Sequence, residues 1–246
     1  MKDIQSLHDD RRIDIRKVGV KTISYPITLL DKARSVQHTV ATVNMYVNLP
    51  HRFKGTHMSR FVEILNGFHG GIDLKGMRRV LLEMKQRLEA EEAHLEIAFP
   101  YFCAVPAGEG RLVQERYDCR MHGSLAQVDD LLLQLRLPLA PPPRAAGGTG
   151  LPRSPGRWGF AEVAVRCGRF LWIEDLVAIL RRGLSAGSPG GREEGGKETA
   201  EERMTVESIT ERLGWALARH PAIAWFSLTV ENLAEGYTTF ATLEGP

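Results

Sequence analysis

Hydrophobic and polar residues alternate with a period of two from Gln37 to Asn48, and the pattern then changes to a helical one. Val40, Thr42, Asn44 and Tyr46 fall on one side of this segment, and Ala41, Val43, Met45 and Val47 on the other, which predicts a strand with one buried face. Pro50 to Gly55 supplies a turn, and Thr56 reads as the N-cap of a helix. In that helix Met58, Phe61, Val62 and Leu65 form the apolar stripe, and Gly67 is placed to end it. A second helix after Asp73 has the clearest stripe of all: Met77, Val80, Leu81, Met84 and Leu88. Further strands are predicted at residues 18–27, 95–101, 116–123 and 131–137. The second half offers a strand at 160–166, a helix from Trp172, a helix over 206–217, and strands at 223–231 and 237–243. Trp158, Trp172, Trp215 and Trp225 are expected in its core.

This order describes an α+β protein whose second half repeats the element order of the first without repeating its sequence. Residues 138–157 and 184–202 break the pattern with dense Gly, Pro and Ser and are expected to be flexible loops. The first of these carries Arg144, Arg153 and Arg157 and no acid. Solvated loop charge is preferred to phosphate contact as their explanation.

Composition narrows the function classes. The chain has 246 residues, 43% of them hydrophobic, and a net charge of +2, so its charge balance points to neither nucleic acid nor an anionic membrane. No apolar run approaches the roughly 20 residues that span a bilayer, and the first residues do not read as a signal peptide; a cytoplasmic location is expected. Three cysteines without framework spacing suit reduced, structural thiols. The tryptophans do not interleave with a basic stripe, so no nucleic-acid partner is expected.

The best binding candidates are His57, Ser59 and Arg60, because a helix N-terminus adds a partial positive charge and N–H donors to their side chains. Capping and a subunit contact are the competing explanation. His38 and Asn44 share the more polar face of their strand, and His38 is also a candidate. Glu231 and Asn232 close another predicted strand, where a turn with Glu235 and Gly236 would account for them without function.

The segments Gln37-His-Thr-Val-Ala-Thr-Val-Asn-Met45 and Lys54-Gly-Thr-His-Met-Ser-Arg-Phe61 resemble the GTP cyclohydrolase IB family. The resemblance begins at Lys17-Val-Gly-Val-Lys-x-x-x-Tyr-Pro-Ile27 and extends through Phe99-Pro-Tyr-Phe102 and Tyr117-Asp-Cys119. It is weaker in the second half, at Trp172-Ile-Glu-Asp-Leu176 and Val230-Glu-Asn232. It implies two tandem tunnelling-fold (T-fold) modules, 1–137 and 138–246, with antiparallel sheets and helices on one face. The protein would form a homo-oligomer with sites between subunits. The implied reaction converts GTP and water to 7,8-dihydroneopterin triphosphate and formate, with Zn2+, Mn2+ or Fe2+ activating the water.

The residues for that chemistry are missing from their places. Where the family carries Cys-Pro-Cys-Ser-Lys and Gly-Ala-His-Asn-Gln, this chain has Leu139-Ala-Pro-Pro-Pro-Arg-Ala-Ala146 and Leu151-Pro-Arg-Ser-Pro-Gly-Arg-Trp158. Leu180-Arg-Arg-Gly183 stands near an expected glutamate ligand. The Thr-Glu purine anchor falls near Thr199-Ala200, and Ala234-Glu-Gly-Tyr-Thr-Thr239 replaces a His-containing run. Of the eight histidines and three cysteines, only His220 and Cys167 lie beyond residue 122, too few for a tetrahedral site, and the first-half histidines lack ligand spacing. The expectation is a GTP cyclohydrolase-like homologue that binds a purine or pterin, has no metal cofactor, and has lost or altered the hydrolysis. The competing expectations are an active cyclohydrolase with a rearranged site and a non-catalytic assembly partner of an intact one.

Overall fold

A computed structural model describes residues 15–49, 57–68, 74–106, 111–126, 129–139, 159–185, 205–234 and 236–246. Among them are eight strands and four helices in the order β1 (Ile15–Asp31), β2 (Ser35–Leu49), α1 (Met58–Gly67), α2 (Leu74–Arg87), β3 (Ala93–Pro106), β4 (Leu112–Leu125), β5 (Asp129–Leu139), β6 (Gly159–Cys167), α3 (Ile173–Ser185), α4 (Val206–Ala218), β7 (Ile223–Ala234) and β8 (Tyr237–Gly245). The fold is α+β, and its strands are hydrogen-bonded in sequence order from β1 to β8. The described residues fall into two compact units, one within 1–102 and 118–133 and the other within 103–117 and 134–246.

In the first unit, β1, β2 and β3 pair antiparallel. Ala41, Val43, Met45 and Val47 of β2 and Ala93, Leu95, Ile97 and Phe99 of β3 are buried, so strict alternation fills one side of the sheet. The α2 stripe covers that side: Met77, Val80, Leu81, Met84 and Leu88 are all buried, and Leu81 and Met77 crowd against Gly123 of β4. Each such side chain contributes about 1.5–3 kcal/mol by leaving water. The Tyr25 hydroxyl donates to the Leu65 carbonyl at 3.3 Å and ties β1 to α1.

Side-chain amides complete the backbone pairing of β2. The Gln37 amide donates to the Phe102 carbonyl at 2.8 Å and accepts from the Phe102 N–H at 2.8 Å, acting as an extra rung to β3. At the other end the Glu92 N–H donates to Asn48 Oδ1 at 2.7 Å. Asp31 accepts from the N–H groups of Ala33 and Arg34 and so closes the β1–β2 turn.

In the second unit, β6, β7 and β8 pair antiparallel. Ala161, Val163 and Val165 alternate inward with Phe226, Leu228 and Val230, against Ile209, Leu213 and Leu217 of α4. Thr205 caps α4 by accepting from the Ser208 N–H at 3.1 Å. Arg212 of α4 is buried. Its guanidinium donates to the carbonyls of Gly183 and Leu184, satisfying groups that the end of α3 leaves unpaired.

Three expectations need correction. The α1 stripe is turned: Phe61, Ile64 and Leu65 are buried, whereas Met58 and Val62 are 41% and 40% exposed. His57, not Thr56, occupies the N-cap position, and its side chain makes no capping hydrogen bond. The described tryptophans are not core residues. Trp215 is exposed, with Arg219 over its ring at 4.4 Å, while Trp172 and Trp225 are half-buried. Trp158, Thr56, His51, His69, Glu235, the turn at 50–55, and nearly all of the 138–157 and 184–202 segments lie outside the described residues.

Candidate functional site

The helix-free side of the first unit carries its densest polar network. β1 shifts register between Val20 and Ile23, and Thr22 there adopts a positive φ of 58°. The Thr22 N–H donates to Asn44 Oδ1 at 2.9 Å, and the Asn44 amide donates onward to Glu96 Oε2 at 3.0 Å. The Tyr46 hydroxyl donates to the other Glu96 oxygen at 2.8 Å. Tyr46 also stacks on His94, with ring centroids 4.9 Å apart, and His94 lies nearly parallel to His122 at 6.4 Å. Lys17 sits 4.5 Å over the Tyr46 ring.

These contacts set the proton affinities. Burial alone would raise the Glu96 carboxyl, but hydrogen bonds from Asn44 and Tyr46, with the charges of His122 and Arg120, hold it below the ordinary carboxylate value. The Tyr46 phenol is pushed up to about 12 by burial and then by its bond to Glu96. His94 is lowered by burial first and by Lys17 second. Both lowered groups stabilise the fold above their unfolded pKa values and lose that contribution as the pH falls, His94 below the imidazole range and Glu96 below the carboxylate range. Glu96→Gln is therefore expected to cost about 1 kcal/mol at neutral pH, allowing for partial exposure. The deficit should shrink toward zero between about pH 5 and about pH 3 in urea unfolding. An unchanged deficit across that range would assign the loss to shape instead of charge.

The residues nominated from sequence do not converge. His38 Nδ1 is 3.0 Å from the Thr28 hydroxyl across the β1–β2 ladder, a local pair on an exposed edge. His57, Ser59 and Arg60 form the first turn of α1, where the Arg60 N–H donates to the His57 carbonyl at 3.1 Å and no acid is present. Glu231 and Asn232 lie in the other unit. Being consecutive in a strand, they project to opposite faces: Asn232 pairs with Gly159 and Thr239, and Glu231 with Phe160 and Phe240.

Sequence reasoning passed over two groups. His94 and Glu96 alternate with Leu95 and Ile97, a visible signal, but their meeting with Asn44 and Tyr46 depends on strand register. In the second unit, Glu115 Oε2 accepts from the Tyr117 hydroxyl at 2.6 Å and pairs with Arg181 Nη1 at 2.7 Å. Burial, and then the bond to Glu115, raises the phenol of Tyr117, while Glu115 and Tyr117 together raise Arg181 against the opposing effect of burial. Arg181 is thus committed to Glu115.

A divalent ion needs several convergent donors. Among the described residues no group of three His, Cys, Asp or Glu side chains is placed to hold a metal. Cys103 and Cys119 are buried, and burial raises the thiols of Cys119 and Cys167, which disfavours the thiolate that a metal requires. Residues 140–158, outside the described residues, contain no Cys, His, Asp or Glu at all.

Comparison with known proteins places these features. In fold, the chain is similar to urate oxidase from Bacillus subtilis 168 (TM-score 0.56, 10% identity, 93% of this chain and 98% of that one). It is likewise similar to a hyper-thermostable AgUricase mutant (TM-score 0.57, 8% identity, 94% and 90%). In sequence it is 40% identical over 258 residues to the GTP cyclohydrolase FolE2 of Syntrophotalea carbinolica, covering 100% of this chain and 96% of the relative. It is 41% identical over 256 residues to that of Geobacter sulfurreducens, covering 99% and 98%. The family model described as type I GTP cyclohydrolase FolE2 matches residues 1–140, ending where the donor-free segment begins. On the strength of the profile match and of relatives similar along its whole length, the chain belongs to the type I GTP cyclohydrolase FolE2 family.

Proposed function

We propose that this chain binds GTP or a related purine or pterin on two tandem T-fold modules, assembled as a cytoplasmic homo-oligomer, and that the metal-dependent hydrolysis of its family is lost or altered in it. The observation that carries the loss is the donor set: a buried pair of cysteines, no convergent metal ligands among the described residues, and a segment at 140–158 without a single candidate ligand. What supports retained binding is the first half, where the family match lies. The first turn of α1, with His57, Ser59 and Arg60, is suited to a phosphate group through its N–H donors and basic side chains. His38, Glu231 and Asn232 complete the proposed set of binding residues.

Metal content and GTP consumption measured on one purified sample test this reading. Binding of GTP with no formate released and less than one divalent ion per chain is the expected result. Formate release with one tightly held ion per chain would overturn the proposed loss. Full-length similarity to relatives named GTP cyclohydrolase favours a second reading, an active enzyme whose site has been rearranged around first-half histidines. Under that reading GTP turnover persists and falls sharply in His57→Ala.

A further inference from the structure

Two register shifts isolate one end of β1. Between the shift at Ile15/Val18 and the one at Val20/Ile23, the strand pairs with β2 through Val18, Gly19 and Val20 alone, opposite Val47, Tyr46 and Met45. β1 also ends the sheet order, so its other side has no strand partner among the described residues. A short, doubly interrupted stretch on an edge is the kind of unit that opens locally, at less than the free energy of global unfolding. On the helix-free face it is clamped by a column of side chains that crosses four strands. Lys17 lies over the Tyr46 ring at 4.5 Å, Tyr46 stacks on His94 at 4.9 Å, and His94 lies nearly parallel to His122 at 6.4 Å. Gly19 permits this close approach, because a Cβ there would run into the Met45 carbonyl and the Tyr46 Cα.

The charged and titratable groups around His94 are Lys17 from β1, Tyr46 from β2, Glu92 and Glu96 from β3, and Arg120 and His122 from β4. Glu96 accepts from Asn44 through one oxygen and from Tyr46 through the other, so it is committed to them. The carboxylate left for His94 is Glu92. Its Oε2 is 3.7 Å from His94 Nε2, beyond hydrogen-bond length, and its side chain is half exposed. His122 offers His94 a ring face, and its own Nε2 is buried without a partner among the described residues.

We propose that His94 is an acid-operated latch on the edge of the first unit. Neutral, it backs the Tyr46 ring and keeps Lys17 seated over β1; protonated, it leaves the stack for Glu92 and frees residues 17–20. The imidazolium gains a charge-assisted bond by closing the present gap to Glu92 by about 1 Å. It also adds a second cation to a column that already ends in Lys17, and the repulsion is relieved when the exposed lysine lifts off the ring. Burial first, and Lys17 second, hold the His94 pKa below the ordinary imidazole value. The closed form therefore prevails at neutral pH and is lost as the pH falls through that lowered value.

Hydrogen exchange of the full chain, read on peptides from β1 and corrected for the intrinsic pH dependence of exchange, tests the latch. From about pH 7.5 to about pH 5.5, protection of residues 17–20 is expected to fall about threefold, the scale of one lost charged contact, while residues 23–30 of the same strand keep theirs. His94→Phe keeps a ring in the stack but carries no proton, so residues 17–20 should stay protected at both pH values. Lys17→Met should lower their protection at both. Glu92→Gln removes the carboxylate that receives the imidazolium and should move the opening to lower pH, which keeps the test decisive if His94→Phe does not fold. Equal loss along the whole of β1 would mean general acid unfolding. A pH-dependent loss that survives in His94→Phe would place the proton elsewhere. Either result overturns the latch, as does unchanged protection in the unmodified chain or in Lys17→Met.

Discussion

Phe226→Ala is expected to destabilise the second unit by about 3–5 kcal/mol, the range for removing a buried phenylalanine ring. Phe226 is 2% exposed in the middle of β7, and its ring occupies a slot that two other elements leave open. On β8, a Cβ at Gly245 would come within 2.5–2.6 Å of the ring. On α4, a Cβ at Gly214 would lie 3.9 Å from it. Gly245 thus leaves room for the ring, whereas Gly214, where a Cβ would meet Leu243 Cδ2 at 2.2 Å, leaves room for Leu243 and only borders the ring. Deleting the ring opens a cavity whose walls belong to a helix and an edge strand, and neither can close it without giving up its own packing. Urea unfolding of the variant against the unmodified chain measures the cost, and Phe226→Leu should recover much of it. A loss below about 1 kcal/mol would mean that the site collapses freely and that Gly245 serves another purpose.

Gly159→Ala is the second large expectation. Gly159 is buried opposite Asn232, and a Cβ there would stand 1.8 Å from the Glu231 carbonyl oxygen, deep inside contact distance. Backbone cannot rotate aside as a side-chain tip can, so β6 must draw away from β7 at this pair. Overpacking of this kind costs about 3 kcal/mol. For a chain of this size that corresponds to a fall of about 6–12 °C in melting temperature. Because the displaced atom belongs to Glu231, nucleotide affinity should drop with stability. Gly168→Ala is the matched control: its nearest neighbour would be a methyl group at 3.7 Å, an ordinary contact, and its melting temperature should stay within a degree or two. Equal effects at the two positions would refute the clash.

How legible the fold was depended on how narrow each pattern was. In α2 five apolar residues occupy a single stripe, and all five are buried as their spacing predicts. α1 holds Met58, Phe61, Val62, Ile64 and Leu65, an apolar arc wider than one face, so periodicity could not choose the buried side and packing chose Ile64 over Met58 and Val62. The tryptophans misled because size suggests burial, whereas Trp225 and Trp215 instead lie under the guanidinium groups of Arg166 and Arg219. Tyr46 falls on the polar side of β2, as the alternation requires, and is buried nonetheless because His94 stacks on it.

The site was less legible for the same physical reason. Asn44 and Gln37 announce themselves as polar residues in an apolar strand, but their tasks are to complete backbone pairing at a bulge and at a strand end. Glu96 becomes interesting only once its cross-strand neighbours are known, and register is a long-range property that a linear pattern does not carry.

Asn44 gives the first unit a chemical clock. Its amide NH2 faces Glu96 as a donor while Oδ1 accepts from Thr22, and asparagine is among the residues that heat and time hydrolyse to an acid. Once converted, the same atoms would set a second carboxylate about 3 Å from the first, and one of the two would have to hold a proton at neutral pH. An aged preparation would then differ from a fresh one in charge and in acid tolerance while its peptide bonds remained intact.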